Sequence, residues 1–177
     1  TGIFSGDGSI KAYNTVDRRV NTTIGEGAKI TADRGAIDIK STAGDTDYIE
    51  NKCAVEAGGF TGFSSVYTKG KVVSYATTTV KPGAIIEDTF GNVSIVSNSS
   101  LKHFSNSVDA DARGFGVHPD ADTDTYIDLE SNVIVGEDNK AKTYVTGRNV
   151  TLESLNSTMN IVDSSHAYGA AAAGNVD

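Results

Sequence analysis

Apolar and polar positions alternate in short runs along this chain, and the runs recur. Ile37 and Ile39 flank Asp38, Val93 and Ile95 flank Ser94, and Val150 and Leu152 flank Thr151. Side chains two positions apart on an extended backbone share a face, so each triplet reads as a half-buried strand with its middle residue outward. The triplets sit in matching phrases: Gly35-Ala36-Ile37-Asp38-Ile39-Lys40-Ser41, Gly91-Asn92-Val93-Ser94-Ile95-Val96-Ser97 and Arg148-Asn149-Val150-Thr151-Leu152-Glu153-Ser154. Ile37 to Val93 is 56 residues, and Val93 to Val150 is 57. No segment carries sustained i, i+3, i+4 apolar spacing, so no amphipathic helix is expected. The alanines from Ala170 to Ala173 are bracketed too tightly by Gly169 and Gly174 for a stable helix.

Two more landmarks keep the period. Thr22-Thr23-Ile24-Gly25-Glu26-Gly27-Ala28 answers Thr78-Thr79-Val80-Lys81-Pro82-Gly83-Ala84, with a looser copy at Ile134-Val135-Gly136-Glu137-Asp138. Ala57-Gly58-Gly59-Phe60 answers Ala112-Arg113-Gly114-Phe115, with Phe60 and Phe115 separated by 55. Gly25-Glu26-Gly27 and Pro82-Gly83 mark turns. A repeat of this length predicts a stacked architecture, an all-β, right-handed parallel β-helix in which each coil bonds to its neighbours. Divided by three, the repeat gives coils of about 19 residues, hence about nine coils and a rod of about 40 Å. Ser9-Ile10-Lys11-Ala12 then reads as an early copy of the Ile37–Ile39 strand. One solenoid domain spans 1–177, with copies at about 1–21, 22–77, 78–132 and 133–177. The competing architecture is a row of Greek-key sandwich modules, which needs longer strands and more core aromatics.

Composition agrees with strands. Ile and Val number 30 against 4 Leu and 1 Met, the reverse of a helical bundle. Leu, Ile, Val and Phe together number 40 of 177, so the apolar core is thin, and the 36 Ser and Thr are expected to wrap it. A net charge of -8 argues against nucleic acid as a partner, because phosphate binding needs clustered Lys and Arg, and the one basic pair, Arg18-Arg19, follows Asp17. No apolar run is long enough for a spanning helix, so membrane insertion is not expected. The start at Thr1 suggests a mature product or a fragment. Cys53 is the single cysteine and reads as a small buried hydrophobe.

The phrases Thr23-Ile24-Gly25-Glu26-Gly27-Ala28-Lys29-Ile30-Thr31-Ala32, Gly91-Asn92-Val93-Ser94-Ile95 and Ala57-Gly58-Gly59-Phe60 resemble the repeats of large bacterial surface proteins, the filamentous-haemagglutinin-like adhesins and autotransporter passengers. The resemblance covers nearly the whole chain. It implies a right-handed parallel β-helix, secretion, surface display and adhesion or matrix building, and it supplies no catalytic residues. The acidic stretch after Phe115 has no counterpart in the first repeat, and no secretion domain is expected among these residues.

That acidic stretch is the main candidate for chemistry. Asp120, Asp122 and Asp124 alternate along an extended segment, with Asp109, Asp111 and Asp128 nearby. Ca²⁺ takes about six to eight oxygen ligands, so it is the one metal these residues suggest, although no helical calcium-hand or β-roll motif is satisfied. The same carboxylates, read as acid and base, are the alternative of a carbohydrate-binding or polysaccharide-cleaving β-helix, with Tyr13, Tyr48, Tyr67 and Tyr75 as sugar platforms. Basic residues to hold an acidic sugar are scarce there, so catalysis is not expected. His103, His118 and His166 lack metal-ligand spacing and read as surface residues. Asn21, Asn92, Asn98, Asn149 and Asn156 begin Asn-x-Ser/Thr triplets and are candidate glycosylation sites. The expectation is an extracellular or cell-surface structural or adhesive segment, or a self-assembling fibre subunit, with no chemistry of its own. Its partners would be copies of itself stacked head to tail, or a cell-surface glycan or protein.

Overall fold

The computed structural model describes residues 5–44, 48–170 and 173–174. They form eleven strands and no helix: β1 (Ser5–Ile24), β2 (Lys29–Ala32), β3 (Ala36–Ala43), β4 (Tyr48–Gly58), β5 (Thr61–Val80), β6 (Ile85–Asp88), β7 (Asn92–Arg113), β8 (Gly116–Val135), β9 (Tyr144–Thr146), β10 (Asn149–Ala170) and β11 (Ala173–Gly174). Every pairing is parallel. That excludes Greek-key modules, whose hairpins pair antiparallel.

The chain visits three sheets in a fixed order and then begins again. The first sheet runs β1-β5-β8-β11, and a small one runs β2-β6-β9. In the third, β7 pairs with β3 and β4 on one side and β10 on the other. Ile37 stands beside Val93, and Val93 beside Val150, so the predicted file exists. The 56-residue repeat is therefore one whole circuit, not three coils. Two expectations fall with that finding. Residues about 19 apart lie in different sheets, so there are about three circuits rather than nine, and four stacked strands rise only about 15 Å. Ser9–Ala12 pairs with Ser65–Thr68 in the first sheet and is no copy of β3. Strand length explains the error: β5 and β7 run 20 and 22 residues, against a usual strand of about five or six.

Alternation sustains those lengths. In β5 every even position from Gly62 to Val80 is buried. In β7 odd positions from Val93 to Leu101 are buried, then even ones from Phe104 to Ala112. The switch falls at Lys102-His103, beside the place where β3 ends and β4 begins. Buried side chains of β5 and β7 meet in three apolar clusters. One joins Ile37, Ile39, Val80, Ala84, Ile86, Val93 and Ile95. Another holds Val72, Leu101 and Phe104, and a third holds Val66, Val108 and Ala110, with Cys53 half-buried against it. Opposite Phe104 a side chain at Gly70 would collide with the ring, so only glycine fits.

The Ser and Thr expected on the outside also fill the interior. Ser41, Thr68, Ser74, Thr78, Ser97 and Ser99 are buried. Thr78 donates to the Val96 carbonyl at 3.0 Å, and its Oγ1 lies 3.0 Å from both Ser41 Oγ and Ser97 Oγ. Asn106 is the most connected. It accepts from Thr68 at 2.6 Å and Asn51 at 3.1 Å, and donates to the Asp124 carbonyl at 3.2 Å and Thr125 Oγ1 at 3.0 Å. A buried polar side chain is tolerable when its hydrogen bonds are made.

The turns repeat less strictly than the strands. Gly27 and Gly83 both take positive φ, 65° and 75°, and Gly27 donates its amide to the Pro82 carbonyl at 3.1 Å. The corresponding third loop is longer. Val80 pairs with Val135, an offset of 55, whereas Ile85 pairs with Tyr144, an offset of 59, so four residues are inserted there. This is why the third landmark reads as loose in sequence.

Candidate functional site

Outward positions of β1, β5 and β8 form a grid, because register places each residue beside its counterparts one circuit away. The row Asp7, Phe63, His118 is followed by Ser9, Ser65, Asp120, then by Lys11, Tyr67, Asp122, and then by Tyr13, Lys69, Asp124. Asp120, Asp122 and Asp124 thus share one outward row along β8. Successive members of such a row are about 7 Å apart, and Ca²⁺–oxygen distances are about 2.4 Å, so the first and third carboxylates cannot reach one ion. Among the described residues no three His, Cys, Asp or Glu side chains converge on a possible metal position.

Asp124 and Asp120 have different neighbours instead. Lys69 Nζ donates to Asp124 Oδ2 at 2.6 Å, and the Tyr67 hydroxyl lies 3.4 Å from the same oxygen. The Lys69 hydrogen bond, and then its charge, hold the Asp124 carboxyl below its ordinary value. That is opposite to the direction a general acid needs. Ser65 Oγ lies 3.4 Å from Asp120 Oδ2. Farther along, the Tyr75 hydroxyl donates to Asp128 at 2.6 Å and is pushed up to about 12, first by that hydrogen bond, then by desolvation and the Asp128 charge.

Aromatic rings stand between the charges. Tyr13 and Tyr67 meet edge to face at 5.9 Å, Phe63 and His118 lie 6.4 Å apart, and Lys71 Nζ sits 5.4 Å from the Tyr126 ring centre. Two adjoining depressions open on this face. One, of about 330 Å³, is lined by Asp7, Ser9, Phe63, Ser65, His118 and Asp120. The other, of about 410 Å³, includes Lys11, Tyr13, Tyr67 and Asp122. Small side chains at Ser9 and Ser65 make the floor, and larger ones on either side make walls. A sheet face of this kind can stack a ring and bond its hydroxyls.

The remaining candidates lie apart. His103 stacks on Tyr48 with ring centres 4.2 Å apart and meets Asn160 at 3.1 Å, whereas His166 meets Asp109 at 3.1 Å. These histidines do not recur as histidines, yet each occupies a register column. Asn21, Asn92, Asn149 and Asn156 are exposed and Asn98 is half-buried. Asn149 donates to Asn92 at 2.9 Å, and Asn156 accepts from Ser131 at 2.9 Å. The buried Asn106 junction escaped the sequence reading. Its signal was the spacing of 55 between Asn51 and Asn106, a polar recurrence overlooked in a search for apolar ones.

No protein-family model, curated protein or solved structure matches this chain.

Proposed function

We propose that the chain is an extracellular structural and adhesive segment, a right-handed parallel β-helix whose successive circuits build a column for surface display. One observation carries the reading: three passes through the same sheets, every strand paired in parallel with its counterpart one repeat away. Such a column needs no reactive centre, and its length is set by the number of circuits. The acidic exterior and the resemblance to filamentous-haemagglutinin-like and autotransporter surface proteins support secretion and display. Electron microscopy and aligned-sample diffraction test it. A column with strands perpendicular to its axis at about 4.8 Å is expected. A spherical particle without that spacing would overturn the reading.

A second reading, glycan binding on the outer face of the first sheet, is favoured by the paired depressions between Phe63, His118, Tyr13 and Tyr67. Binding on a glycan array should fall at least about tenfold in an Asp122→Asn, Asp124→Asn variant if those carboxylates accept sugar hydroxyls. Unchanged binding would remove them from the site.

A further inference from the structure

We propose that the trough on the outer face of the first sheet binds a glycan whose sugar rings carry free ammonium groups. The inference rests on the glycan reading given above and adds the charge of the sugar.

The trough follows from side-chain size in three neighbouring rows. β5 presents Phe63, Ser65 and Tyr67 outward in turn: large, small and large. Outward neighbours on one strand are about 7 Å apart, so the two rings stand as walls on either side of a serine floor. Register extends the floor to Ser9 on β1 and the Phe63 wall to His118 on β8. The two depressions are halves of this trough, since Ser65 and Asp120 line both. Phe63 is 50% exposed, an apolar ring held in water with serine hydroxyls at its foot. That pairing suits a sugar, whose ring carbons stack while its hydroxyls form hydrogen bonds.

Charge decides which sugar. Asp7 is the register neighbour of Phe63, and Asp122 is that of Tyr67. Each wall therefore sets a carboxylate beside an aromatic ring, and both groups attract an ammonium. Asp120 adds a third carboxylate between the walls, and Lys11 is the one Lys or Arg among the lining residues. Farther along the face the carboxylates are already engaged, Asp124 by Lys69 and Asp128 by Tyr75. Within the trough Asp120 meets the Ser65 hydroxyl at 3.4 Å, and among the described residues Asp7 and Asp122 make no side-chain hydrogen bond or ion pair. Three carboxylates against one ammonium repel an acidic sugar. They leave a neutral one without the charge-assisted hydrogen bonds that these groups can accept. An amino sugar supplies the ring, the hydroxyls and the cation together.

Calorimetric titration of the chain with a glucosamine hexamer and with its N-acetylated counterpart tests the proposal, because the two probes differ only in charge and the acetyl group. The glucosamine hexamer should bind at least about tenfold more tightly. An Asp120→Asn, Asp122→Asn variant should lose that preference, and Phe63→Ala should weaken binding about threefold. Asp38→Asn removes a carboxylate from an exposed position on β3 and should bind as the wild type does. Equal or tighter binding of the N-acetylated hexamer would overturn the ammonium preference and leave the glycan reading standing. Binding of neither hexamer, nor of any sugar on a glycan array, would overturn both. Oligolysine bound as tightly as the glucosamine hexamer, or Asp38→Asn weakened as much as the double variant, would reduce the effect to general charge attraction and refute the site.

Discussion

β7 and β10 carry nearly the same inward pattern and live in different environments. Val93, Ile95 and Phe104 of β7 are fully buried, and their register partners Val150, Leu152 and Ile161 of β10 are roughly half exposed. The difference is not in the strands. β7 has neighbours on both sides and faces β5, whereas among the described residues β10 pairs with β7 alone. In a stacked fold, sequence pattern decides which file a residue joins, and the adjoining circuit decides how much burying it is worth. Identical substitutions should therefore have unequal effects one circuit apart.

The largest contrast is expected at the bulkiest file. Phe104 packs on Val72 and Leu101, with Val16, Ile49, Ile127 and Leu129 around it. Phe104→Ala should cost about 3–5 kcal/mol through lost burial and an unfilled cavity, whereas Ile161→Ala should cost less than about 1 kcal/mol. Urea denaturation of the two variants checks this. Equal losses would mean that β10 is as well covered as β7.

A polar file sharpens the same point. Asn51, Asn106 and Asp163 are register partners, with Asn106 buried and Asp163 exposed. Asn106→Ala strands the Thr68 hydroxyl and the Asn51 amide, and should cost about 2–4 kcal/mol. Asp163→Ala should stay within about 0.5 kcal/mol, since nothing buried depends on it. Thermal unfolding of the pair decides, and a mild Asn106→Ala would mean that water replaces its bonds. Hydrogen exchange tests the boundary without mutation: β10 amides should exchange at least about tenfold faster than those of β7, because an edge opens without unfolding the rest.

The sequence made some of this legible and hid the rest for physical reasons. The Ile37, Val93, Val150 file was readable because branched aliphatics recur there, and the Phe60–Phe115 landmark is a stacked pair with ring centres 5.3 Å apart. Circuit size was not readable. Alternation looks the same in one 20-residue strand as in several short ones, and only partner offsets separate them. Interior hydroxyls were missed because Ser97 and Thr78 are polar in composition, yet they bond inward to Asn132 and Val96 carbonyls. The row Asp120, Asp122, Asp124 was found correctly as alternating, but alternation on a strand separates carboxylates instead of gathering them.

The smallest effect lies on the outside of the boundary between the second and third circuits, at Lys69 and Asp124. Both side chains are substantially exposed, with relative areas of 44% and 45%, so solvent and salt screen the pair and its loss should barely move the melting temperature at neutral pH. Its signature is in pH. Lys69 holds the folded-state carboxyl of Asp124 below the ordinary 3.8, so the pair stabilises the fold above that value and ceases to do so as pH falls through the depressed folded value. An Asp124→Asn variant should therefore melt slightly below the wild type at pH 6, and the gap should close on acidification below 3.8. Added salt at pH 6 should narrow the same gap. A difference that persists unchanged into strong acid would mean that the effect does not come from the carboxylate's charge, and the Lys69–Asp124 pair would then contribute nothing to joining the circuits.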